Sequence, residues 1–442
     1  MNPASAASDK TIVVTNAGAV GDGVTLNTVA LQKAIDALSA DGGGTVIIPP
    51  GRFLTGTIQL KDNITLHLDD QAILLGSTNK ADYRNVDPFI DGTKILRGEA
   101  MIVSSDAKNV GIEGNGAIDG QGKALSTAEG KYTVRPFLVR CVRCTGVSVK
   151  NVTLRNSGAW TLNFFQCDKV TASGVTIRSR GLANNDGIDT DSCQNVKISA
   201  CDIDTGDDAI CLKTTSTRPC RDVTVTDCKL RTSCSSIKIG TETIGDFEAI
   251  HISHCQVRDI GMSGIAVYSV DGAQIHDVKV NDITMDGVMI PISVRLGARL
   301  KTFRAGDVAR PPGTIRDVTI QNVRATGAKR IGLLINGVPG HPIESLTLEN
   351  IKIEVVGGGK PEDAKVQLAE NEATYPEVKM FGAVMPVYGL YVRHIDGIVF
   401  KDVTLSAARP DPRPAASFID AKSLTPADFP NGVSVDSPAT TP

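Results

Sequence analysis

Between residues 184 and 213 the chain reads NNDGIDTDSCQNVKISACDIDTGDDAICLK and carries seven aspartates: Asp186, Asp189, Asp191, Asp202, Asp204, Asp207 and Asp208. The residues between them are largely β-branched or cysteine, the composition of buried strands. Aligning GIDTD, AICLK, SIKIG and GIAVY puts Ile188, Ile210, Ile237 and Ile265 in one column. Two residues before each stand Asp186, Asp208, Ser235 and Ser263, with Asp207 beside Asp208. If these stretches stack, three carboxyl groups converge, and like charges so close raise at least one pKa. One protonated and one ionised carboxyl is what glycoside hydrolysis needs, an acid for the leaving oxygen and a base for water. Two blander readings stay open: a calcium loop drawn from DIDTGDD, or a solvated turn.

Other polar residues fall on the same stretches. Lys213, Lys238 and Glu242 are candidates for gripping substrate, or are solvated edge residues. Trp160, the only tryptophan, lies one stretch earlier and suits either sugar stacking or packing. The six histidines are scattered. His251 and His254 point to opposite faces of a strand, so no metal site is expected from them. His394, in YVRH, could reach a groove from the neighbouring insertion.

What positions such residues is a repeat. An apolar-x-apolar-x-x-apolar-x-apolar unit starts at Val147, Val170, Val196, Val223, Ile250, Val278, Val318, Leu346 and Ile398, its first five steps being 23 to 28 residues. Each unit is rich in Val, Ile and Thr and is bounded by Gly, Asn, Asp or Ser, as short strands are. Several strands per period, without a leucine ladder or a helix in each unit, predict an all-β chain, a parallel β-helix solenoid. Cys144, Cys167, Cys193 and Cys220 would then share one column, and Cys201, Cys228 and Cys255 another. That favours internal ladders of small hydrophobes over a disulfide framework. The pair Cys141 and Cys144 has no second half for a zinc site.

At the N-terminus, residues 27–40 predict a short capping helix with Val29, Ala30, Ala34, Ile35 and Leu38 on one face, over the first coil's edge. The expected organisation is a disordered tail over residues 1–10, a single β-helix catalytic domain over 11–407 and an extended tail over 408–442. Insertions at 296–313 and 357–392 break the period and are placed to build a binding face or to seal one. A net charge of −3 argues against nucleic-acid binding. No apolar run is long enough for a membrane helix, and a monomer is expected. The start MNPASAASDK lacks a secretory layout, which fits a secreted or periplasmic protein with its signal removed, or a cytoplasmic one.

The stretch NNDGIDTDSCQNV…CDIDTGDDAICLK resembles the active-site segment of glycoside hydrolase family 28, the polygalacturonase-like enzymes. GAVGDGVTLNTVALQKAIDA and GGTVIIPPGRFLTGTIQLKDNITLHL resemble the family's N-terminal part, and RPFLVRCVRCTGVSVKNVTLRNSGAWTLNF resembles the coil before the site. The resemblance implies a right-handed parallel β-helix that hydrolyses pectic glycosidic bonds with inversion and without a cofactor. Its Asn-Thr-Asp motif falls on Asn184-Asn185-Asp186, which adds Asn185 to the binding candidates. It implies Asp207 as general acid, with Asp186 and Asp208 holding and deprotonating the water. Where the family has Gly-His-Gly this chain has Ser235, and where it has Arg-Ile-Lys it offers Tyr268 and Val270. The resemblance therefore implies a pectic carbohydrate, with a neutral sugar such as rhamnose or a different uronide geometry beside the scissile bond. Two other readings remain: a calcium-dependent polysaccharide lyase, and a glycan-binding β-helix without catalysis.

Overall fold

The computed structural model describes residues 10–127 and 135–425. Its chain divides into two compact units, Met1–Asp207 and Asp208–Pro442, and each is a right-handed parallel β-helix. In the first unit one aliphatic stack runs through successive coils in strict register, Val46, Leu66, Ile112, Val149, Ala172 and Ile198. In the second the equivalent stack is Val225, Ile252, Val280, Ile320, Leu348 and Phe400. All are buried, so each coil completes its core only by lying on its neighbour. An antiparallel strand pair, Arg84–Ile90 with Leu96–Ser105, interrupts the parallel ladders.

The polar residues between strands have a geometric reason. Asn151, Asn195, Asn322 and Asn350 take φ between 50° and 59°, the left-handed corner that asparagine enters more readily than β-branched residues. Some corners stack as well: the Asn350 amide donates to Asn322 Oδ1 and the Asn322 amide to Asn281 Oδ1, both at 2.7 Å.

Helix α1 (Thr28–Ala40) buries Leu31, Ala34, Ile35 and Leu38, an i, i+3, i+4, i+7 stripe. This corrects the expected face, because Val29 is 83% exposed and Leu31 takes its place. The helix stops where Gly43 N donates to Leu38 O at 2.8 Å and Gly42 takes φ +93°, a glycine-dependent C-terminal turn.

The ten cysteines are buried thiols. Cys144 N donates to Cys167 Sγ at 3.4 Å and Cys167 N to Cys193 Sγ at 3.3 Å, and the residues that follow Cys228 and Cys255, Lys229 and Gln256, lie opposite each other. Burial, with a neighbouring sulfur, pushes the Cys141 and Cys167 thiols well above their ordinary pKa. A thiol reagent is therefore expected to find almost no fast-reacting group in the folded protein and ten after unfolding. Rapid labelling before unfolding would contradict the ladder.

Beyond residue 407 the expected tail gives way to structure. Strand Ala416–Thr425 pairs in parallel with Leu390–Arg409, because Ala416 and Phe418 supply one more buried row. Residues 1–9 and 426–442 lie outside the described residues. Among the described residues no helix is long and apolar enough to cross a membrane.

Candidate functional site

In the first unit the site loop lies between strands Thr176–Ser179 and β1 (Ile188–Asp191). Strand β1 stacks on Leu162–Phe165, with Ile188 on Leu162. The loop is held by its own amides. Asn185 Oδ1 accepts from Leu182 N at 2.9 Å and its Nδ2 donates to Ser157 O at 2.8 Å. Arg135 donates to Ala183 O at 2.6 Å and to Asn184 Oδ1 at 3.0 Å. Asn184, at φ 58°, turns its backbone N–H toward Asp207, whose Oδ2 accepts it at 2.9 Å. Gly206 permits this approach, since a Cβ there would lie 2.5 Å from Leu182 O. Asp207 is half-buried and Asp186 buried, with the Asp186 carbonyl accepting from Thr161 N at 2.8 Å.

Two sequence candidates in this unit are buried. Asn185 is buried and spends its amide on the loop. Trp160, read as either a stacking platform or a packing residue, is 2% exposed and takes the packing role. It packs in the core at 5.3 Å from Phe137 and 5.9 Å from Phe89, ring centroid to centroid. An indole enclosed in this way buries more apolar area than it could on a sugar. Asp202 pairs with Arg178 at 2.9 Å and Asp204 with Arg180, so these two aspartates of the crowded segment are edge residues.

In the second unit the face that carries the site is built from strands β2 (Ile210–Thr214), β3 (Ile237–Thr243), β4 (Ser263–Ser269), β5 (Ile290–Leu296), β6 (Leu333–Asn336), β7 (Leu390–Arg409) and β8 (Ala416–Thr425). Ile210, Ile237 and Ile265 form a column, as the sequence alignment expects. Asp208 enters just before β2 and is buried. Its Oδ1 accepts from Ser235 N at 3.1 Å and its Oδ2 from Lys238 Nζ at 2.7 Å. Burial alone would raise the Asp208 pKa, but the charges of Lys238 and Lys213 outweigh it and hold the carboxyl below its ordinary value. The Asp208 carboxyl is therefore held in its ionised form.

Lys213 and Glu242 are also buried and pair at 3.3 Å. Between Leu212 and Thr214 the pairing of β2 with β3 shifts register, a bulge of the kind that re-aims side chains beside active sites. It carries Thr241 and Glu242. Burial opposes the charge of Glu242, yet Lys213, Arg299 and Lys238 lower its pKa to about 2. Tyr268 is buried, with its hydroxyl 3.2 Å from Ser263 Oγ and 3.1 Å from Ser293 Oγ.

Sequence reasoning missed three residues of this cluster. Arg299, from the first insertion, pairs with the buried Asp271 and donates to Thr241 O at 2.6 Å. Tyr375, from the second, hydrogen-bonds Thr241 Oγ1 at 3.0 Å and lies under the Arg299 guanidinium, 5.4 Å from its ring centroid. The broken period marked both insertions, but no repeat column predicts what an insertion touches. His394 pairs with Asp420 at 2.8 Å and Glu370 at 3.2 Å. The cluster pairs Asp208, Glu242 and Asp271 with Lys238, Lys213 and Arg299.

Known proteins agree with this architecture. A probable polygalacturonase of Vitis vinifera is 35% identical over 211 residues, covering 45% of this chain and 43% of that one. The chain thus spans less than half the length of that relative. An endo-polygalacturonase of Pectobacterium parmentieri is 26% identical over 353 residues, 74% of this chain and 84% of its own. The solved family 28 exopolygalacturonase of Yersinia enterocolitica shares the fold at a TM-score of 0.75 and 19% identity, over 96% of this chain and 79% of that one. The sequence profile described as "Glycosyl hydrolases family 28" matches residues 42–374, and the chain belongs to that family.

Proposed function

We propose that this protein hydrolyses a glycosidic bond in a pectic polysaccharide or oligosaccharide with inversion at the anomeric carbon. Asp207 is the general acid; Asp186 and Asp208 hold and deprotonate the attacking water. The observation that carries the reading is the contrast between two adjacent carboxyls. Asp208 is buried and kept ionised by Lys238, whereas Asp207 is half-exposed and oriented by a neutral backbone amide. Carboxyls in unlike environments are the usual way one site holds an acid and a base together.

The relatives' names, probable polygalacturonase and endo-polygalacturonase, support a galacturonan-type polymer. The cation positions argue for a variation on it. Ser235, Tyr268 and Val270 stand where the family resemblance expects a histidine and a cationic pair, while Lys213, Lys238 and Arg299 face carboxylates of the chain itself. That balance favours a neutral sugar such as rhamnose at the subsite beside the scissile bond, in a rhamnogalacturonan or a rhamnoside. A lyase would need a neutral basic side chain, and the Asp208 carboxylate holds Lys238 strongly protonated against the effect of burial. The identity and anomeric form of the sugar released from homogalacturonan, rhamnogalacturonan oligosaccharides and simple rhamnosides test the proposal.

A further inference from the structure

Residues that point outward from a β-helix strand ordinarily meet solvent or ligand. Along the second unit that outer face is closed soon after the coil of Asp208. Counting coils from β2, the row that begins at Cys211 continues through Lys238, Ala266, Ser293, Leu334 and Tyr391. Beside it run Tyr268, Arg295, Asn336 and Arg393. All of these are buried. From Tyr268 and Ser293 onward their cover is the 357–392 insertion. Val378, Phe381, Met385 and Val387 pack on Leu334 and Tyr391, and the guanidinium groups of Arg295 and Arg393 each lie 5.7 Å from the Phe381 ring centroid.

The insertion is also tied down through its backbone. Arg295 donates to Asn371 O at 3.0 Å, and Arg393 donates to Leu368 O at 2.8 Å and Ala369 O at 2.9 Å. Beneath it, between Tyr268 and Phe381, remains a cavity of ≈ 10 Å³, about the space of one water. On β8 the cover ends: Ile419, opposite Arg393, is 41% exposed. The two insertions meet where Ala298 N donates to Glu372 O at 2.7 Å, and Arg299 and Tyr375 face each other over Thr241.

We propose that this cover is an end wall. It rests on the reading of Asp207 and Asp208 as the cleavage centre and adds to it a mode of action: a sugar chain cannot continue along the outer face past the Thr241–Tyr375 contact. The wall stands one to two coils beyond Asp208, on the order of 5–10 Å at the usual strand spacing, a length comparable to a mono- or disaccharide. The protein therefore removes short units from a chain end, and Tyr375 with Arg299 forms the surface against which the terminal sugar stops.

The test is the time course of product sizes from pectic oligosaccharides of graded length, each labelled at the reducing end. The expected result is one small product, a mono- or disaccharide, from the earliest times and at every chain length. An early mixture of mid-sized oligosaccharides would overturn the wall. Product size and end-group chemistry are read separately: short unsaturated products would keep the wall and sink hydrolysis, and mid-sized saturated ones would do the reverse. Deleting the insertion would strip a buried apolar cluster, so the variant to make is Tyr375→Ala, with Tyr375→Phe as the ring-preserving control. Tyr375→Ala is expected to raise the share of longer products several-fold while Tyr375→Phe keeps the parent pattern. An unchanged pattern in Tyr375→Ala would remove that residue from the wall.

Discussion

Asp207→Asn is expected to lower turnover on any accepted substrate on the order of 10²–10⁴-fold, the range that a lost general acid commands, while leaving thermal stability close to that of the parent. Asparagine keeps the shape of the side chain, and its carbonyl oxygen can accept the Asn184 amide as Asp207 Oδ2 does. It cannot supply a proton to a leaving oxygen. The half-exposed position carries no buried charge whose removal would unsettle its surroundings. Rate loss with retained fold is thus the signature of the proposed role. A variant as active as the parent would remove Asp207 from the mechanism, and one that unfolds would recast it as a loop anchor. The measurement is kcat with a melting curve on the same sample.

Lys238→Met carries the second large effect, and here stability falls with activity. Lys238 Nζ lies 2.7 Å from Asp208 Oδ2 with both groups buried, and removing one partner of such a pair costs about 3–5 kcal/mol because the other charge stays behind. Asp208 has a folded-state pKa depressed below its ordinary 3.8. Its ionised form therefore stabilises the fold above that value, and the contribution is lost as pH falls through the depressed one. In the variant, burial is opposed by Lys213 with one cation fewer, so the Asp208 pKa rises and the carboxyl takes up a proton more readily. The gap in stability between parent and variant should be widest near neutral pH and should narrow in acid. Glu242 behaves alike, its stabilisation being lost between about 4.5 and about 2. Urea denaturation of both proteins across that range checks the sign. A gap that widens as pH falls would contradict an ionised Asp208.

The sequence carried the architecture because the architecture is periodic. The alternation starting at Val223, Ile250, Val278, Val318 and Leu346 is the ladder itself, and a cysteine at every 23 to 27 residues is a position in a stack. The column of Ile210, Ile237 and Ile265 was equally legible. What the period could not convey was direction and depth. Trp160 has the right residue type for a sugar platform, yet its ring is enclosed by Phe89 and Phe137. Val29 and Leu31 are both apolar, and only the packing of α1 decides which one is inside. Lys238 and Glu242 read as substrate-gripping candidates or solvated edge residues, but a bulge and two insertions make them a buried charge network. Arg299 and Tyr375 belong to no repeat, and contacts made by insertions across long stretches of chain, such as Tyr375 with Thr241 134 residues away, leave no periodic trace.

The most direct test of the central claim is proton NMR of the product while it forms, with the parent protein and Asp207→Asn side by side on rhamnogalacturonan oligosaccharides, homogalacturonan and rhamnosides. The account predicts a saturated sugar released with the anomeric configuration opposite to that of the bond cleaved, and little or none of it from the variant. Retention of configuration, unsaturated products or an equally active variant would contradict it.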